Sequence, residues 1–339
     1  MSEGSFSFVE LESKVGGREM ETRKGWTVVI VGIVVSLIIG ISPALAAADY
    51  PNRPMDYVLP FGPGGGTDLT VRLYKDKVEK LLGQPIIMNY KPGAGGVIAG
   101  TYVKESKPDG YTFLVISNTS LVSSMLTRKA DFTLDDFVPV STLTLSPTIF
   151  VVNKDSPYKT MKDFTEAAKT KKMKVAGTTP LNITQLVVEA IGRQEGFQAI
   201  PVPMGGGAKA MAAVLGGHVD MAAVAPTGIE NQLRILAVAL EDRWETHPDV
   251  PTLKELGYPS GPATHFSIYA PKGTPKAIVD KIHGAYTKVL EEDREEITKR
   301  AKGINQIARV SGAEELGKLS WDTYDFLKTM LSKMESPVK

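Results

Sequence analysis

The apolar positions along the chain follow two spacings in alternation. Short apolar runs predict strands, and segments in which apolar residues recur every three or four positions predict helices. The first such pair is a run around Val58 followed by a helical segment from residue 69 to residue 82. Thr67 or Asp68 is predicted to cap this helix, and Gly83 is predicted to end it.

The same alternation continues through the rest of the chain. Further strands are predicted at 85–90, 111–117, 148–152, 173–176, 199–204, 219–225, 233–240 and 265–270. Further helices are predicted at 97–105, 160–170, 180–194, 207–215, 275–302 and 313–332. Strands that alternate with helices indicate a largely parallel sheet covered by helices.

This pattern predicts an α/β fold with two doubly wound lobes and a ligand cleft between them. We expect 49–148 and 270–339 to form the first lobe and 149–269 to form the second, with hinge crossings near 148 and 269. The C-terminal helices have no predicted strands of their own, so we expect them to pack on the first lobe.

A loop of glycines, Gly62 to Gly66, separates the first strand from the first helix. The N–H groups at a helix N-terminus lack intrahelical acceptors and lie at the positive end of the helix dipole, so a bare loop there can bind an anion. A plain strand-to-helix turn is the alternative interpretation. Two loops of the second lobe repeat the arrangement, at Gly177 to Thr179 and at Gly205 to Gly207. Such loops on both sides of a cleft suit a small di- or tricarboxylate.

Composition and motifs argue against several other functions. The 339 residues carry a net charge of +1 and no basic block, which argues against nucleic acid as a partner. There are no cysteines, and the four histidines lack metal-binding spacing. The loop at 62–68 lacks the lysine of a Walker A motif, and no nucleophile elbow is present. We therefore predict no catalysis, no cofactor and no metal.

The N-terminal part of the chain has the composition of a secretory signal. A basic pair precedes an uncharged apolar run at 26–41, and small residues follow up to Ala48, so cleavage is expected after Ala46 or Ala48. The alternative is an uncleaved membrane anchor, but the run is shorter than the ~20 residues of a usual span. Met20 as the true translation start is a further hypothesis.

Several stretches of the sequence resemble the tripartite tricarboxylate transporter solute receptors, also called Bug receptors. They are YPNRPMDYVLPFGPGGGTD, GQPIIMNYKPGAGG, KPDGYTFLV, PVPMGGGAKAMAAVLGGHVDM and RWETHPDVPTLKELGYP, in this order. The resemblance covers the chain from about residue 50 and implies a type II periplasmic binding protein fold. It also implies a periplasmic receptor, which we expect to be a monomer, that delivers an organic acid to the integral-membrane permease subunits of such a transporter.

The resemblance also implies which residues bind the ligand. In the first lobe these are Phe61, Gly62, Gly65, Gly66, Thr67 and Asp68, with Ser117, Asn118 and Thr119 beside them. In the second lobe they are Gly177, Thr178, Thr179, Asn182, Met204, Gly205 and Gly206. Asp68 either caps the helix or contacts a ligand amine, and the polar residues at 117–119 are alternatively turn formers.

Two positions depart from the family pattern. Met204 stands where the family commonly has an aromatic residue, and TTPLNITQ stands where a glycine/serine loop followed by histidine is common. Met204 either packs in the core or leaves the pocket wider and more apolar. The ligand is therefore predicted only as a small carboxylate. Two other functions stay open, a receptor that presents a carboxylate to a sensor kinase and a doubly wound enzyme that binds a nucleotide.

Overall fold

The computed structural model describes residues 50–178, 183–226 and 228–335. The predicted signal segment lies outside these ranges, as do Thr179 and Asn182 of the predicted site. Pro51–Lys339 forms one compact unit, to which all the elements named below belong. Among the described residues, no helix combines the length and the apolarity that a bilayer span requires.

The strands and helices alternate through most of this unit. The strands are β1 (Met55–Leu59), β2 (Ile86–Tyr90), β3 (Thr112–Ser117), β4 (Phe137–Ser146), β5 (Thr148–Asn153), β6 (Lys174–Gly177), β7 (Ile200–Pro203), β8 (Met221–Val224), β9 (Leu233–Ala239), β10 (Thr264–Pro271) and β11 (Ile307–Ser311). The α-helices are α1 (Gly66–Leu82), α2 (Val97–Lys104), α3 (Asn118–Thr127), α4 (Met161–Thr170), α5 (Ile183–Glu195), α6 (Gly207–Leu215), α7 (Lys276–Glu292), α8 (Arg294–Gly303) and α9 (Ala313–Glu335).

The strands form two sheets that share one strand order. The first sheet runs β2-β1-β3-β10-β4-β11, and the second runs β7-β6-β8-β5-β9. In each sheet the first three strands are parallel, and the fourth strand is antiparallel to both of its neighbours. Each of these fourth strands follows a crossing from the other sheet. The predicted α/β fold with two doubly wound lobes is confirmed.

The second crossing lies earlier in the chain than predicted. We expected residues up to 269 to belong to the second lobe, but β10 pairs with β3 and β4 of the first sheet. The chain therefore leaves the second sheet after β9 and has entered the first by Thr264. The first crossing lies between β4, which ends at Ser146, and β5, which begins at Thr148.

Three elements were missed in the sequence. Strand β4 has polar residues at Ser141, Thr142, Thr144 and Ser146 that are all nearly fully buried, so it shows neither an apolar run nor an outward polar face. Helix α3 occupies residues 118–127, for which no helix is predicted. Strand β11 pairs with β4, so the C-terminal part of the chain does contribute to a sheet.

The predicted long helix at 275–302 is two helices. Helix α7 ends before Asp293, whose backbone angles (φ −118°, ψ 27°) are not helical, and α8 begins at the next residue. Helix α7 is held on the first sheet through Tyr286, whose hydroxyl donates to Tyr57 Oη at 3.1 Å.

A continuous cluster of buried side chains joins the two lobes. It extends from Leu114 and Ile116 of β3 through Leu327 of α9 to Leu186 of α5 and Phe150 of β5. Helix α9 accordingly contacts α3 and β4 of the first lobe and also α5 of the second. Our expectation that the C-terminal helices pack on the first lobe is therefore incomplete, because α9 bridges both lobes.

Candidate ligand-binding site

A cavity of about 620 Å³ lies between the two lobes. Small-molecule sites typically occupy about 300–1,000 Å³. From the first lobe it is lined by the loop before α1, by one face of α3 and by β10, and from the second by the residues that follow β6 and β8 and by the start of α6. Parallel sheets bind ligands at the carboxyl ends of their strands, which is where these loops lie.

The N-terminus of α1 presents free donors to this cavity. The helix begins after Gly65, and its first intrahelical bond is donated by Leu69 to the Gly65 carbonyl at 3.0 Å. Because no side chain caps this end, the N–H groups of Gly66 and Thr67 have no acceptor among the described residues. The Thr67 hydroxyl is also without a partner, although the residue is only 2% exposed. Buried donors without partners are costly, so this end of α1 favours a bound acceptor.

The Asp68 side chain holds the loop before α1 through hydrogen bonds. Its carboxylate accepts hydrogen bonds from the Gly64 N–H at 2.9 Å, from Arg72 Nε at 3.0 Å and from the Tyr90 hydroxyl at 2.5 Å. Burial alone would raise the pKa of the Asp68 carboxyl, but these hydrogen bonds outweigh burial and lower the pKa below its ordinary value. Gly64 itself has φ 80°, a conformation that favours glycine.

The predicted cap is therefore wrong, since the N-cap is Gly65 and neither Thr67 nor Asp68 occupies that position. Asp68 is the third residue of the helix, within its first turn, and is absent from the cavity lining. Its carboxylate already holds three donors, so contact with a ligand amine is not supported by this geometry. Gly83 does end the helix as predicted, with φ 70° and its N–H donating to the Glu79 carbonyl.

Two residues from distant parts of the chain support the start of α1. The side-chain amide of Gln306 donates to the Gly66 carbonyl at 3.1 Å, and its oxygen accepts from the hydroxyls of Thr70 and Thr144, both at 2.7 Å. The ring of Phe266 on β10 lies so close that a Cβ on Gly66 would be 2.4 Å from its Cζ. Gly66 is therefore required by this close approach rather than by its backbone angles.

Helix α3 places the polar residues at 117–119 in different roles. Ser117 is its N-cap and accepts from the Ser120 N–H at 3.1 Å, and both Ser117 and Thr119 line the cavity. Asn118 points elsewhere, since its oxygen accepts from the His265 N–H at 2.9 Å and its amide donates to Thr323 Oγ1 at 2.8 Å. Asn118 therefore ties the second crossing to α9 and does not line the cavity.

The second lobe contributes the loops that follow its strands. Of the predicted binding residues, Thr178, Gly205 and Gly206 line the cavity, together with Gly207 at the start of α6. Gly177 and Met204 do not line it. Met204 packs against the second-lobe core, which agrees with the first of its two predicted roles.

The sequence interpretation missed several lining residues. They include Ser120, Ser123, Arg128, Ser146, Thr148, Lys209, Thr264, Phe266 and Gln306. Most of them lie on α3, β4 and β10 or beside them, and these are the elements that were missed or assigned to the wrong lobe. The predicted binding residues Phe61, Gly62, Gly65, Gly66 and Thr67 all line the same cavity.

The charged side chains among the described residues that line the cavity are positive. Arg128 and Lys209 line it from opposite lobes, and no Asp or Glu is among its described lining residues. In the described ranges, no three His, Cys, Asp or Glu side chains converge in a metal-binding arrangement. Together with the free donors of α1, this distribution favours an anionic ligand.

A larger cavity of about 850 Å³ lies on the second lobe alone, beside α5, β6 and β7. It includes Gly177 but none of the loop before α1. The interlobe cavity is the candidate ligand site, because only that one of the two combines a free helix N-terminus with groups from both lobes among its described lining residues.

Two lobes of equal strand order, two crossings and a cavity between them are the architecture of type II periplasmic binding proteins. A profile of the tripartite tricarboxylate transporter family receptor matches residues 70–311. The chain belongs to this family. The protein BugT of Bordetella pertussis is 33% identical over 262 residues, which cover 74% of this chain and 80% of BugT.

Solved structures show the same relationship. A TctC solute binding protein from Polaromonas is 29% identical with a TM-score of 0.69, and the match covers 84% of this chain and 99% of that one. MatC from Rhodopseudomonas palustris, solved with bound malate, is 27% identical with a TM-score of 0.73, and the match covers 83% of this chain and 99% of that one.

Proposed function

We propose that the protein is a periplasmic receptor that captures a small organic carboxylate in the interlobe cavity. The observation that carries this proposal is the start of α1, where the N–H groups of Gly66 and Thr67 and the buried Thr67 hydroxyl lack acceptors among the described residues. Both residues line the cavity, and no Asp or Glu is among its described lining residues. A ligand carboxylate supplies the missing acceptors at the positive end of the helix dipole. The malate bound to MatC supports this class of ligand.

A ligand that contacts both lobes also changes how stable their closed arrangement is. A molecule that contacts α1 and the loops of the second lobe stabilises the closed arrangement, and the two crossings serve as the hinge. The receptor then delivers its ligand to the permease subunits of a tripartite tricarboxylate transporter. The predicted signal at the N-terminus supports a periplasmic location, and we expect a monomer.

The test is a thermal shift screen of residues 49–339. The panel contains mono-, di- and tricarboxylates, aromatic acids, amino acids and nucleotides, and calorimetry follows on each hit. A ligand at a hundred times its dissociation constant stabilises the folded state by about 2.7 kcal/mol, which gives a measurable shift. We expect at least one of the aliphatic acids to raise the unfolding temperature. A response to nucleotides alone would overturn it and would favour the enzyme interpretation.

A further inference from the structure

Arg128 lies at the far end of the helix that lines the cavity. Helix α3 begins at the cavity with Ser117 and Thr119, presents Ser120 and Ser123 along it, and ends at Arg128, whose N–H donates to the Ser124 carbonyl at 3.2 Å. The Arg128 side chain is itself part of the cavity lining. The cavity thus has hydrogen-bond donors at α1 and a guanidinium where α3 ends.

The guanidinium of Arg128 has no counter-charge among the described residues. Its Nη2 is buried and has no hydrogen-bond partner, and within the described ranges no carboxylate forms an ion pair with it. The other charged group of the cavity, Lys209, is also a cation and is exposed on the second lobe. A buried guanidinium donor without an acceptor is unfavourable, and a planar carboxylate is the acceptor that fits it best.

The position of this guanidinium is restricted by Gly95. A Cβ on Gly95 would lie 2.6 Å from Arg128 Nε and 2.9 Å from Cζ, so the guanidinium rests against the bare backbone of that residue. Gly95 has φ 66° and also lines the cavity. Packing of this kind holds a donor in place before the ligand arrives, which reduces the entropy lost on binding.

We propose that Arg128 binds the second acidic group of the ligand and makes the receptor selective for dicarboxylates over monocarboxylates. This inference rests on the proposed function, in which the first carboxylate binds at the start of α1. The two ends of the ligand are then held by different chemistry, N–H groups and a hydroxyl at one end and a guanidinium at the other.

The test compares acids of equal carbon number that differ in one carboxylate. Succinate is paired with butyrate, glutarate with valerate and adipate with hexanoate, and affinities are measured by calorimetry on the protein expressed from the full coding sequence. The variants are Arg128→Ala and Arg128→Met, the second of which keeps the aliphatic stem in place. Lys129→Met is the matched control, because this exposed cation follows Arg128 directly and does not line the cavity.

We expect the wild type to bind at least one dicarboxylate more than tenfold tighter than its monocarboxylate counterpart. Both Arg128 variants should weaken dicarboxylate binding by about 10- to 100-fold, the usual range for a lost hydrogen bond to a charged group, and should change monocarboxylate binding less than threefold. Lys129→Met should change neither. A merely structural role for Arg128 would weaken both classes of acid equally, and that result would overturn the assignment.

The wild-type affinities distinguish a wrong role for Arg128 from a wrong function for the protein. If the wild type binds both acids of every pair equally, the carboxylate receptor stands and the role of Arg128 is refuted. If the wild type binds none of the six acids and no other carboxylate of the screen, both are refuted. Unchanged dicarboxylate affinity in Arg128→Met would also refute the role of Arg128.

Discussion

Asp68 offers the sharpest test of how the loop before α1, Gly62 to Gly65, is held. The carboxylate is 2% exposed and accepts from the Gly64 N–H, from Arg72 and from the Tyr90 hydroxyl. In Asp68→Asn the negative charge is lost, and the side-chain NH2 of asparagine faces groups that donate hydrogen bonds to the carboxylate in the wild type. Hydrogen bonds to a charged acceptor contribute about 1.5–3 kcal/mol each, and asparagine can keep one of them.

We expect Asp68→Asn to lower the free energy of unfolding by about 2–4 kcal/mol. The estimate stays at this level because the Arg72 side chain is 54% exposed, and water weakens its share of the interaction. Urea unfolding at pH 7 measures the change as a lower midpoint at constant slope. The affinity for the acid found in the screen should fall as well, since the Gly64 end of the loop loses its anchor.

The pH dependence of the free energy of unfolding provides a second test of the role of Asp68. The folded-state pKa of Asp68 is lowered from its ordinary value of 3.8, so its contribution is fully present above that value and is lost as the pH falls through the folded-state pKa. The difference between wild type and Asp68→Asn should therefore be constant near neutral pH and shrink below about pH 4.

The matched control is Asp280→Asn. Asp280 forms an (i, i+4) ion pair with Lys276 at 2.6 Å, but both side chains are mostly exposed, so stability should change little. If Asp68→Asn unfolds at the same urea concentration as Asp280→Asn, with unchanged ligand affinity, the role of Asp68 in holding the loop is refuted.

Two further predictions concern the start of α1. Gly66→Ala places a Cβ 2.4 Å from the Phe266 ring, so this variant should be less stable than wild type and should bind ligand more weakly. In Gly65→Ala the new Cβ meets nothing closer than 3.4 Å, so this variant should fold normally. Equal urea midpoints for the two variants would show that the close approach of Phe266 does not require a glycine at position 66. Thr67→Val removes a buried hydroxyl that has no partner, so the ligand-free protein should be as stable as wild type or slightly more stable, while ligand affinity should fall about tenfold. A stability loss above about 1 kcal/mol in Thr67→Val would show that the hydroxyl has a structural partner.

The glycine loops were predictable because bare glycines between a strand and a helix have few structural interpretations. The two lobes followed from the alternation of strands and helices. Strand β4 was not predictable in the same way, because its hydroxyl side chains are buried and find partners far away in sequence, such as Gln306 for Thr144. Neither burial nor such a partner is visible in a local pattern.

Arg128 was missed for a related reason. Its role depends on where α3 ends, and α3 begins with hydroxyl and amide residues that are equally typical of a turn. The cap of α1 was misassigned because Thr67 and Asp68 are common capping residues, whereas the true N-cap is a glycine that leaves the helix end free. In both cases the local preference of the residues pointed to a different structure from the one that forms.

The insertion of β10 between β3 and β4 has a consequence for how the chain folds. The second lobe is built from one continuous segment, between β4 and β10, and can pair all its strands as soon as that segment exists. The first sheet must wait, because β10 joins β3 and β4 only after the whole second lobe has been synthesised. Pairing across so many residues is intrinsically slow. Gln306, which supports the start of α1, comes later still, so the N-terminus of the first helix is completed by a residue that is made near the end of synthesis.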